Sequence, residues 1–407
     1  MSEPVLFNRR EFVCGAAAGV AAGLPALASS SLLAGASQAV TRPDVAAIYF
    51  PSWHRYDHMD AWRGPGWTEW ELVKTAPARF AGHHQPLRPT WGFFDESDPP
   101  WSAREIDMAA DHGIDVFLFD WYWYSGVRLM EEALEQGFLK APNRARMKFA
   151  LMWANHNWGD YFPVPYDKPQ PSWLPQRHTA NDLQRLIEYG IAHYFQEPNY
   201  WTVAGRLFFS VFQPQQLIEQ LGGAAATKSL LATIDHKLDR AKLPPMHWNA
   251  MTWKPEVVAL YAEAGFHSTT TYNITSTGKT SPEGTQDYQD LIRAHSDHWK
   301  AMAATTLPHC PMVTMGWDVT PRCEHQVPFP FAKAKYPYGP VVVGNTPERF
   351  GRLCKLAAEF AAASAANPPA IVVNAWNEWT EGSHLLPEEK YGTAYLEAAS
   401  AAFGKRQ

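Results

Sequence analysis

Short apolar segments alternate with longer amphipathic segments along most of the chain. The apolar segments are continuous, which is typical of strands buried on both faces of a parallel sheet. Eight strands with interleaved helices indicate a (β/α)8 barrel, and an open doubly wound sheet is a weaker alternative because no G-x-G-x-x-G follows the first strand. The predicted strands are residues 45–50, 114–121, 148–153, 206–212, 246–251, 266–272, 312–317 and 370–376. The predicted helices are residues 102–112, 126–136, 181–195, 229–241, 255–264, 285–305 and 347–365.

The pattern fits one domain. A chain of 407 residues suits a single barrel with insertions, and we expect this domain to span residues 43–404. Two long segments, residues 55–99 and residues 159–177, follow the first and third predicted strands. Long loops at the carboxyl ends of barrel strands usually build the functional site, so we expect both to contribute to it.

Residues 1–39 have the organisation of an export signal. Arg9 and Arg10 precede a weakly apolar stretch rich in Ala and Gly, and small residues follow it. This order resembles a bacterial twin-arginine signal peptide. A membrane anchor is the alternative, but Pro25 and several serines interrupt a stretch that falls short of the roughly 20 apolar residues of a span. We therefore expect cleavage near residues 37–40 and a periplasmic or secreted protein.

Composition narrows the function classes. The net charge is −6 and the basic residues form no long cluster, so the sequence lacks the basic surface that nucleic-acid binding requires. The chain contains 18 Trp, and 14% of its residues are aromatic. Aromatic rings either fill a large core or cover the C–H faces of sugar rings, and we expect several tryptophans to do the latter. The expected partner is a poly- or oligosaccharide, and no cofactor is expected.

Three cysteines, Cys310, Cys323 and Cys354, lie beyond the signal. Three thiols cannot all pair with one another. The sequence leaves open whether Cys310 and Cys323 form a disulfide or whether the thiols are buried and free.

Polar and aromatic side chains gather where the predicted strands end, which is where a (β/α)8 barrel carries its chemistry. These ends lack the nucleophilic Ser of a G-x-S-x-G elbow. They do supply what glycosidic cleavage requires, namely paired carboxyl groups, polar partners for hydroxyls and aromatic platforms. The residues expected to line the substrate site are Trp53, His54, Glu69, Asp120, Trp123, Trp153, Asn155, Asn157, Trp158, Tyr272, Trp317, Asp318 and Asn377.

Glu378 and Glu381 are the expected catalytic carboxylates. They lie three residues apart, directly beyond the last predicted strand. An odd spacing would send them to opposite faces of a strand, but in a turn residues i and i+3 lie on one side. The alternative is a solvent-exposed pair of glutamates at the start of a helix.

Three other carboxylates have structural alternatives. Asp120 follows a run of aromatic residues, where a charge is costly unless it is used or paired, so it either serves the site or forms an ion pair. Glu69 either lines the pocket or caps a short helix, and Asp318 either faces the pocket or forms a turn. No metal is expected, because the histidines form no H-E-x-x-H motif and His83 and His84 are adjacent.

Six segments together resemble the WbsX-like proteins, which are also described as glycoside hydrolase family 99-like domains. The resemblance extends from about residue 45 to residue 400, and several motifs appear in family order. It implies a (β/α)8 barrel that acts on α-mannoside-like links with retention. The segments are residues 49–54, 66–70, 82–86, 153–158, 316–322 and 376–382, the last of which reads Trp-Asn-Glu-Trp-Thr-Glu-Gly.

The resemblance also implies separate roles for the two glutamates. In family 99, two glutamates of an E-W-x-E-G segment act through a 1,2-anhydro sugar. Carried over by motif, Glu378 removes the proton of the sugar's own 2-hydroxyl, which attacks C1. Glu381 protonates the leaving oxygen and then activates water. This route requires a 2-hydroxyl trans to the leaving group, as in an α-manno ring.

Two other functions remain open at this stage. Many WbsX-like proteins occur in polysaccharide-synthesis settings and are named glycosyltransferases, so a transferase that uses a sugar nucleotide is one alternative. The expected export signal argues against it, and so does the lack of a diphosphate-binding loop in the sequence. The other alternative is a non-catalytic glycan-binding protein, which would tolerate loss of Glu378 and Glu381.

Overall fold

Eight parallel strands form the centre of the fold, at the eight places where the sequence predicts them. The structure is a computed structural model that describes residues 42–159, 162–169, 172–364 and 370–405, so the expected signal at residues 1–39 lies outside the described residues. The strands are β1 Asp44–Tyr49, β2 Val116–Tyr124, β3 Lys148–Trp153, β4 Arg206–Val211, β5 Met246–Met251, β6 Ser268–Thr270, β7 Met312–Thr314 and β8 Ala370–Asn374.

The strands pair in parallel in chain order, and β8 returns to pair with β1. Between β6 and β7 the contact is a single bridge, Thr269 to His309, and the amide of Thr269 donates to the carbonyl of Pro308 at 2.8 Å. The sheet is thus a nearly closed (β/α)8 barrel, which confirms the predicted fold. All nine residues of β2 are buried, as expected for a strand covered on both faces.

Helices surround the barrel, and local caps explain where several of them begin. The hydroxyl of Thr179 accepts from the amide of Asp182 at the start of α4, and Asp287 and Thr346 cap α8 and α9 in the same way. The helices are α1 Asp57–Arg63, α2 Trp70–Thr75, α3 Pro99–Asp111, α4 Ala180–His193, α5 Pro214–Gln220, α6 Ala224–Arg240, α7 Val258–Glu263, α8 Tyr288–Ala303, α9 Pro347–Ala363 and α10 Ala394–Phe403.

The helix predicted over residues 126–136 is wrong in its first half. Instead, β2 continues to Tyr124 and turns back into a short strand, Val127–Leu129, which pairs with it in antiparallel fashion. Ser125 and Gly126 form the turn with φ angles of 51° and 101°, a left-handed conformation that suits a tight hairpin. The only helical part of the predicted range that the structure describes is one π-helical turn, Ala133–Gly137.

The structure resolves further points that the sequence left open. Cys310, Cys323 and Cys354 are free, buried thiols, so the disulfide alternative is wrong. Within the described ranges, no helix combines the length and apolar character needed to cross a bilayer. In the same part of the chain, no group of three or more His, Cys, Asp or Glu side chains is arranged to hold a metal ion.

Candidate active site

The segment after β8 brings two glutamates to one side of a turn. Asn377–Glu378 pairs with Ser383–His384, and a 3-10 turn, Trp379–Glu381, connects these two short strands. Gly382 ends the turn with a φ of 65°, and a Cβ atom there would lie 2.8 Å from Cβ of Asp318, so the position requires glycine. Both glutamate side chains are fully buried, unlike those of a solvent-exposed pair.

One guanidinium, that of Arg322, joins the two glutamates. Arg322 lies at the end of the 3-10 turn Thr320–Arg322, which follows β7, and it is buried. Its Nη2 donates to Oε1 of Glu378 at 2.8 Å, and its Nη1 donates to Oε1 of Glu381. Two nitrogens of one planar group thus hold both carboxylates, a geometry that the single ammonium of a lysine does not reproduce.

A third carboxylate reaches the same guanidinium from the first βα loop. Oε1 of Glu69 accepts from Nε and Nη2 of Arg322 at 3.1 and 2.8 Å, and also from the hydroxyl of Thr380. The hydroxyl of Tyr336 accepts from Nη1 and donates to Oε1 of Glu381 at 2.6 Å. Glu69 directly precedes α2 but makes no capping bond to it, so its side chain belongs to the cluster rather than to the helix end.

The cluster holds three carboxylates around one guanidinium, and none of these four side chains is more than 2% exposed. Burial, and then the charge of Glu381, raise the pKa of Glu378 well above its ordinary value, although Arg322 opposes the change. Burial lowers the pKa of Arg322, but Tyr336 and the carboxylates outweigh it, so this pKa is also raised. A perturbed carboxyl at the carboxyl end of a barrel is typical of acid–base sites.

Oε2 of Glu378 has no hydrogen-bond partner among the described residues. Buried polar atoms are nearly always bonded, so this oxygen is the atom of the cluster best placed to receive a donor from a ligand. Asp120 lies near it, since the charge of Asp120 contributes to the raised pKa of Glu378. Asp120 accepts a hydrogen bond from the hydroxyl of Tyr272 at 2.8 Å, which links the ends of β2 and β6 across the barrel mouth.

A second buried network supports the catalytic segment from the side of β1. The ring nitrogens of His54 lie 2.9 Å from Glu96 and 3.2 Å from Glu132. Burial lowers the pKa of His54, but hydrogen bonds to these carboxylates outweigh it and raise the pKa to about 9. Glu96 also accepts from the amide of Trp53 at 2.6 Å and lies 3.4 Å from Nδ2 of Asn377. The network therefore helps to hold Asn377 and, next to it in sequence, Glu378.

Asp318 holds the turn that follows β7. Its Oδ1 accepts from the amide and hydroxyl of Thr320 at 3.0 and 2.7 Å. Its Oδ2 accepts from Gln85 at 2.7 Å and lies 2.8 Å from Nε2 of His83. Its amide donates to the carbonyl of Glu381 at 2.7 Å. Because both carboxylate oxygens are occupied by protein groups, Asp318 has the role of a turn residue that positions its neighbours.

Two of the predicted tryptophans lie away from the cluster. Trp123 contacts Tyr189 of α4, and its Nε1 donates to Asp182 of the same helix at 3.2 Å. Trp153 packs edge-on against His178, which directly precedes that helix region. Side chains alternate along a strand, so β2 directs Trp123 towards the helices while it directs Asp120 into the barrel.

The other three tryptophans lie at the mouth of the barrel. Trp53 is buried against Trp70, with 4.3 Å between ring centroids, and Trp70 in turn contacts Trp379 of the catalytic turn. Trp158 packs edge-on against Tyr122, a residue of β2, at 5.1 Å. Trp317 is half-buried and lies 6.5 Å from the ring of Tyr336.

The two predicted amides connect loops. Asn155 accepts from the amide of Gln213 at 2.6 Å, and its Nδ2 lies 2.9 Å from Nε2 of His178. Asn157 accepts from the amide of Gln176 at 2.7 Å. Both therefore fix the segments that follow β3 and β4, without a contact to the Arg322 cluster in the described hydrogen bonds.

Sequence reasoning missed four residues that the structure brings into the site or its support: Arg322, Tyr336, Thr380 and Glu96. Arg322 stood inside a recognised motif but received no role. The signal available for it was electrostatic, because several carboxylates predicted at one buried site require a cation. The others offered no such signal, since their contacts depend on how the loops fold.

Solved structures with a similar fold define the class to which the barrel belongs. The GH99 endo-alpha-mannosidase from Bacteroides thetaiotaomicron matches with a TM-score of 0.56 at 13% identity, over 88% of this chain and 96% of that chain. A glycoside hydrolase-like protein matches with a TM-score of 0.53 at 14% identity, over 93% and 97%. At these identities the likeness shows the fold alone, which is a glycoside-hydrolase-like (β/α)8 barrel.

The family follows from the sequence match. Residues 45–399 match the family model described as Glycosyltransferase WbsX, and the chain therefore belongs to the WbsX family. Among curated relatives, the Uncharacterized protein WxcX of Xanthomonas campestris pv. campestris is 27% identical over 364 residues in each of two strains. The match covers 88% of this chain but 49% of the relatives, so the chain spans about half of their length.

Proposed function

We propose that the protein is a retaining glycoside hydrolase that cleaves α-mannoside-like links in a polysaccharide or glycan. The observation that carries the proposal is the pair Glu378 and Glu381, buried together on one turn beyond the last barrel strand and bonded to one guanidinium. The fold is shared with an enzyme named as an endo-alpha-mannosidase, which supports the choice of substrate class.

Each glutamate has a chemical role in this proposal. Glu378, as a carboxylate, accepts the proton of the sugar's 2-hydroxyl at Oε2, while that hydroxyl oxygen forms a bond to C1. The bond from C1 to the leaving oxygen breaks, and Glu381 gives that oxygen its proton. Glu381 then takes a proton from water, the water oxygen bonds to C1, and Glu378 returns its proton to the 2-oxygen. Two inversions at C1 give net retention.

The raised pKa of Glu378 suits the role of base. A sugar hydroxyl is a weak acid, and a carboxylate with a higher pKa removes its proton more readily. Arg322 stabilises the ionised form that the step requires, and it fixes the carboxylate while leaving Oε2 for the substrate. The positive charge thus positions Glu378 while burial strengthens it as a base.

Substrate entry requires movement of the residues that cover this pair. Phe162 lies over the guanidinium of Arg322 at 4.4 Å, and the amide of Val164 donates to the carbonyl of Arg322 at 2.9 Å. Both residues belong to the long segment after β3. A glycan that reaches Glu378 must therefore displace part of this segment.

A transferase that uses a sugar nucleotide is the second candidate, favoured by the description of the family itself. Such an enzyme must bind a diphosphate, usually with Arg, Lys or a metal ion. Every nitrogen of the Arg322 guanidinium is already bonded to a protein oxygen, so this cation is not presented to a diphosphate. The two candidates differ in the acceptor, which is water in one and a glycan in the other.

The test is product analysis with α-mannan, rhamnan and bacterial surface glycans, by wild type and by the variants Glu378→Gln and Glu381→Gln. Gln keeps the size of Glu but cannot transfer a proton, so each variant should fold, bind glycan and lose activity by at least about 10²-fold. Thermal unfolding provides the control for folding. A glycan-binding protein without catalysis would show binding by all three proteins and turnover by none.

Activated substrates separate the two roles. An α-mannosyl fluoride needs no protonation of its leaving group, so Glu381→Gln should recover much of the first step and Glu378→Gln should not. A 2-deoxy-2-fluoro glycoside lacks the attacking hydroxyl and should be inert. Its efficient hydrolysis, or a covalent adduct on a carboxylate, would instead indicate an enzyme nucleophile, for which Asp120 is the first candidate because it lies beside Glu378.

A further inference from the structure

A separate cavity lies at the carboxyl end of the barrel, beside the catalytic segment. Its volume is about 150 Å³, and its walls include Asp318 and Gly382, the residue that directly follows Glu381. A cavity of this volume accommodates a benzene ring, so the space corresponds to a single six-membered ring. Glu378, Glu381 and Arg322 are not among the lining residues, so the cavity is distinct from the buried cluster.

The lining combines flat aromatic faces with polar groups. Trp317 and Tyr391 are both half-buried and contribute ring surface to the walls. The side chain of His84 is 41% exposed and bonds to Glu388 through Nε2 at 3.0 Å. Aromatic faces with a few fixed polar groups are the combination that recognises a sugar ring, whose faces are apolar and whose rim carries hydroxyls.

Glu388 organises one wall of this cavity. It is 3% exposed, and besides His84 it accepts from the amides of Lys390 and Tyr391 at 2.8 and 2.7 Å. Burial raises the pKa of Glu388, but the hydrogen bond from His84 and the backbone amides outweigh it, so the carboxyl remains ionised. One buried carboxylate thus fixes an aromatic ring and an imidazole before any ligand binds, which lowers the cost of binding.

The position of Trp317 relates the cavity to the proposed reaction. Its ring lies 6.5 Å from that of Tyr336, and the hydroxyl of Tyr336 donates to Glu381. Glu381 is the group that protonates the leaving oxygen in the proposed function. A sugar attached to that oxygen would therefore lie on the side of Glu381 from which Trp317 leads into the cavity.

We infer that this cavity binds a neutral pyranose on the leaving-group side of the cleaved bond, and that the enzyme therefore acts within a glycan chain. The inference rests on the proposed function, because it uses the role of Glu381. The binding energy would be spent on glycans that continue beyond the cleaved bond, and not on substrates whose leaving group is a single atom.

The kinetic test compares linear α-mannotriose with α-mannobiosyl fluoride. Tyr391→Ala removes one aromatic face and should raise KM for the trisaccharide about 10-fold, while KM for the fluoride stays as in wild type. Tyr391→Phe keeps the ring and should behave like wild type. The matched control is Phe93→Ala, an exposed aromatic residue that does not line the cavity.

A structural test does not depend on turnover. Crystals of the Glu381→Gln variant soaked with α-mannotriose should show a sugar ring between Trp317 and Tyr391. A bound sugar elsewhere with an empty cavity, or an unchanged trisaccharide KM for Tyr391→Ala, would overturn the inference and leave the proposed function intact. A wild-type protein that hydrolyses neither substrate and binds no trisaccharide would overturn both for mannosyl glycans.

Discussion

Replacement of Arg322 by Met tests whether the cluster depends on one cation. The side chains of Arg322 and Glu378 are 1% and 0% exposed, so water cannot replace the lost charge. Removing one partner of a buried ion pair costs about 3–5 kcal/mol of unfolding free energy. For a domain of roughly 360 residues, with an unfolding entropy of about 0.8 kcal/mol/K, this corresponds to a fall in Tm of about 4–7 °C.

The pH dependence separates loss of charge from loss of packing. The pKa of Glu378 is raised in the folded protein, and without Arg322 it should rise further. A carboxyl with a raised folded-state pKa binds an extra proton in the folded state, so its ionisation lowers stability as pH rises from the unfolded pKa to the folded one. The Tm deficit of Arg322→Met should therefore be small near about pH 4 and grow towards neutral pH.

Thermal unfolding by circular dichroism across this pH range measures the effect. The matched control is Arg349→Met, which breaks an ion pair with Asp287 whose side chains are 41% and 50% exposed. Such an exposed pair contributes about 0–1 kcal/mol, so its Tm should change little. A deficit for Arg322→Met that is equal at all pH values, or no larger than that of the control at neutral pH, would refute this reasoning.

Three further predictions concern the signal, the tryptophans and the buried histidine. Lys in place of both Arg9 and Arg10 should leave precursor in the cytoplasm, as measured by fractionation and immunoblotting; continued export would argue against a twin-arginine signal. Trp123→Ala should lower stability by about 3–5 kcal/mol without loss of glycan affinity per folded protein, whereas Trp317→Ala should weaken binding measured by calorimetry; the reverse pattern would contradict their positions. The pKa of His54 is raised to about 9, so its stabilisation of up to about 3 kcal/mol is complete below about pH 6.5 and lost towards pH 9. Chemical denaturation of His54→Gln and wild type should therefore show a stability difference that shrinks across this range, and a constant difference would count against the charged pair.

The strands were predictable because each is covered on both faces. For β3 and β5 the predicted and observed bounds coincide, since no polar alternation interrupts either segment. The end of β2 was not predictable in this way. Its aromatic run continues to Tyr124, and the hairpin beyond it depends on two left-handed residues, Ser125 and Gly126, that the pattern of apolar positions does not encode.

The site was predictable only where the residues follow one another in sequence. Glu378 and Glu381 share a turn, so their spacing was sufficient to place them together. Arg322 and Glu69 meet across 253 residues, and their contact depends on barrel closure rather than on a local pattern. The misplacement of Trp123 has the same origin as that of the hairpin, because a residue expected in a loop lies in a strand and faces α4.

The long separation of Glu69 from Arg322 has a consequence for biosynthesis. Chains emerge from the ribosome amino end first, so Glu69 is exposed to its final neighbours long before its counter-ion has been made. A partly synthesised barrel that buried Glu69 would hold an unpaired charge, which disfavours premature collapse around the first loop. The bonds from Arg322 to Glu69, Glu378 and Glu381 join the ends of β1, β7 and β8, so the charges become balanced only when the last strand closes the barrel.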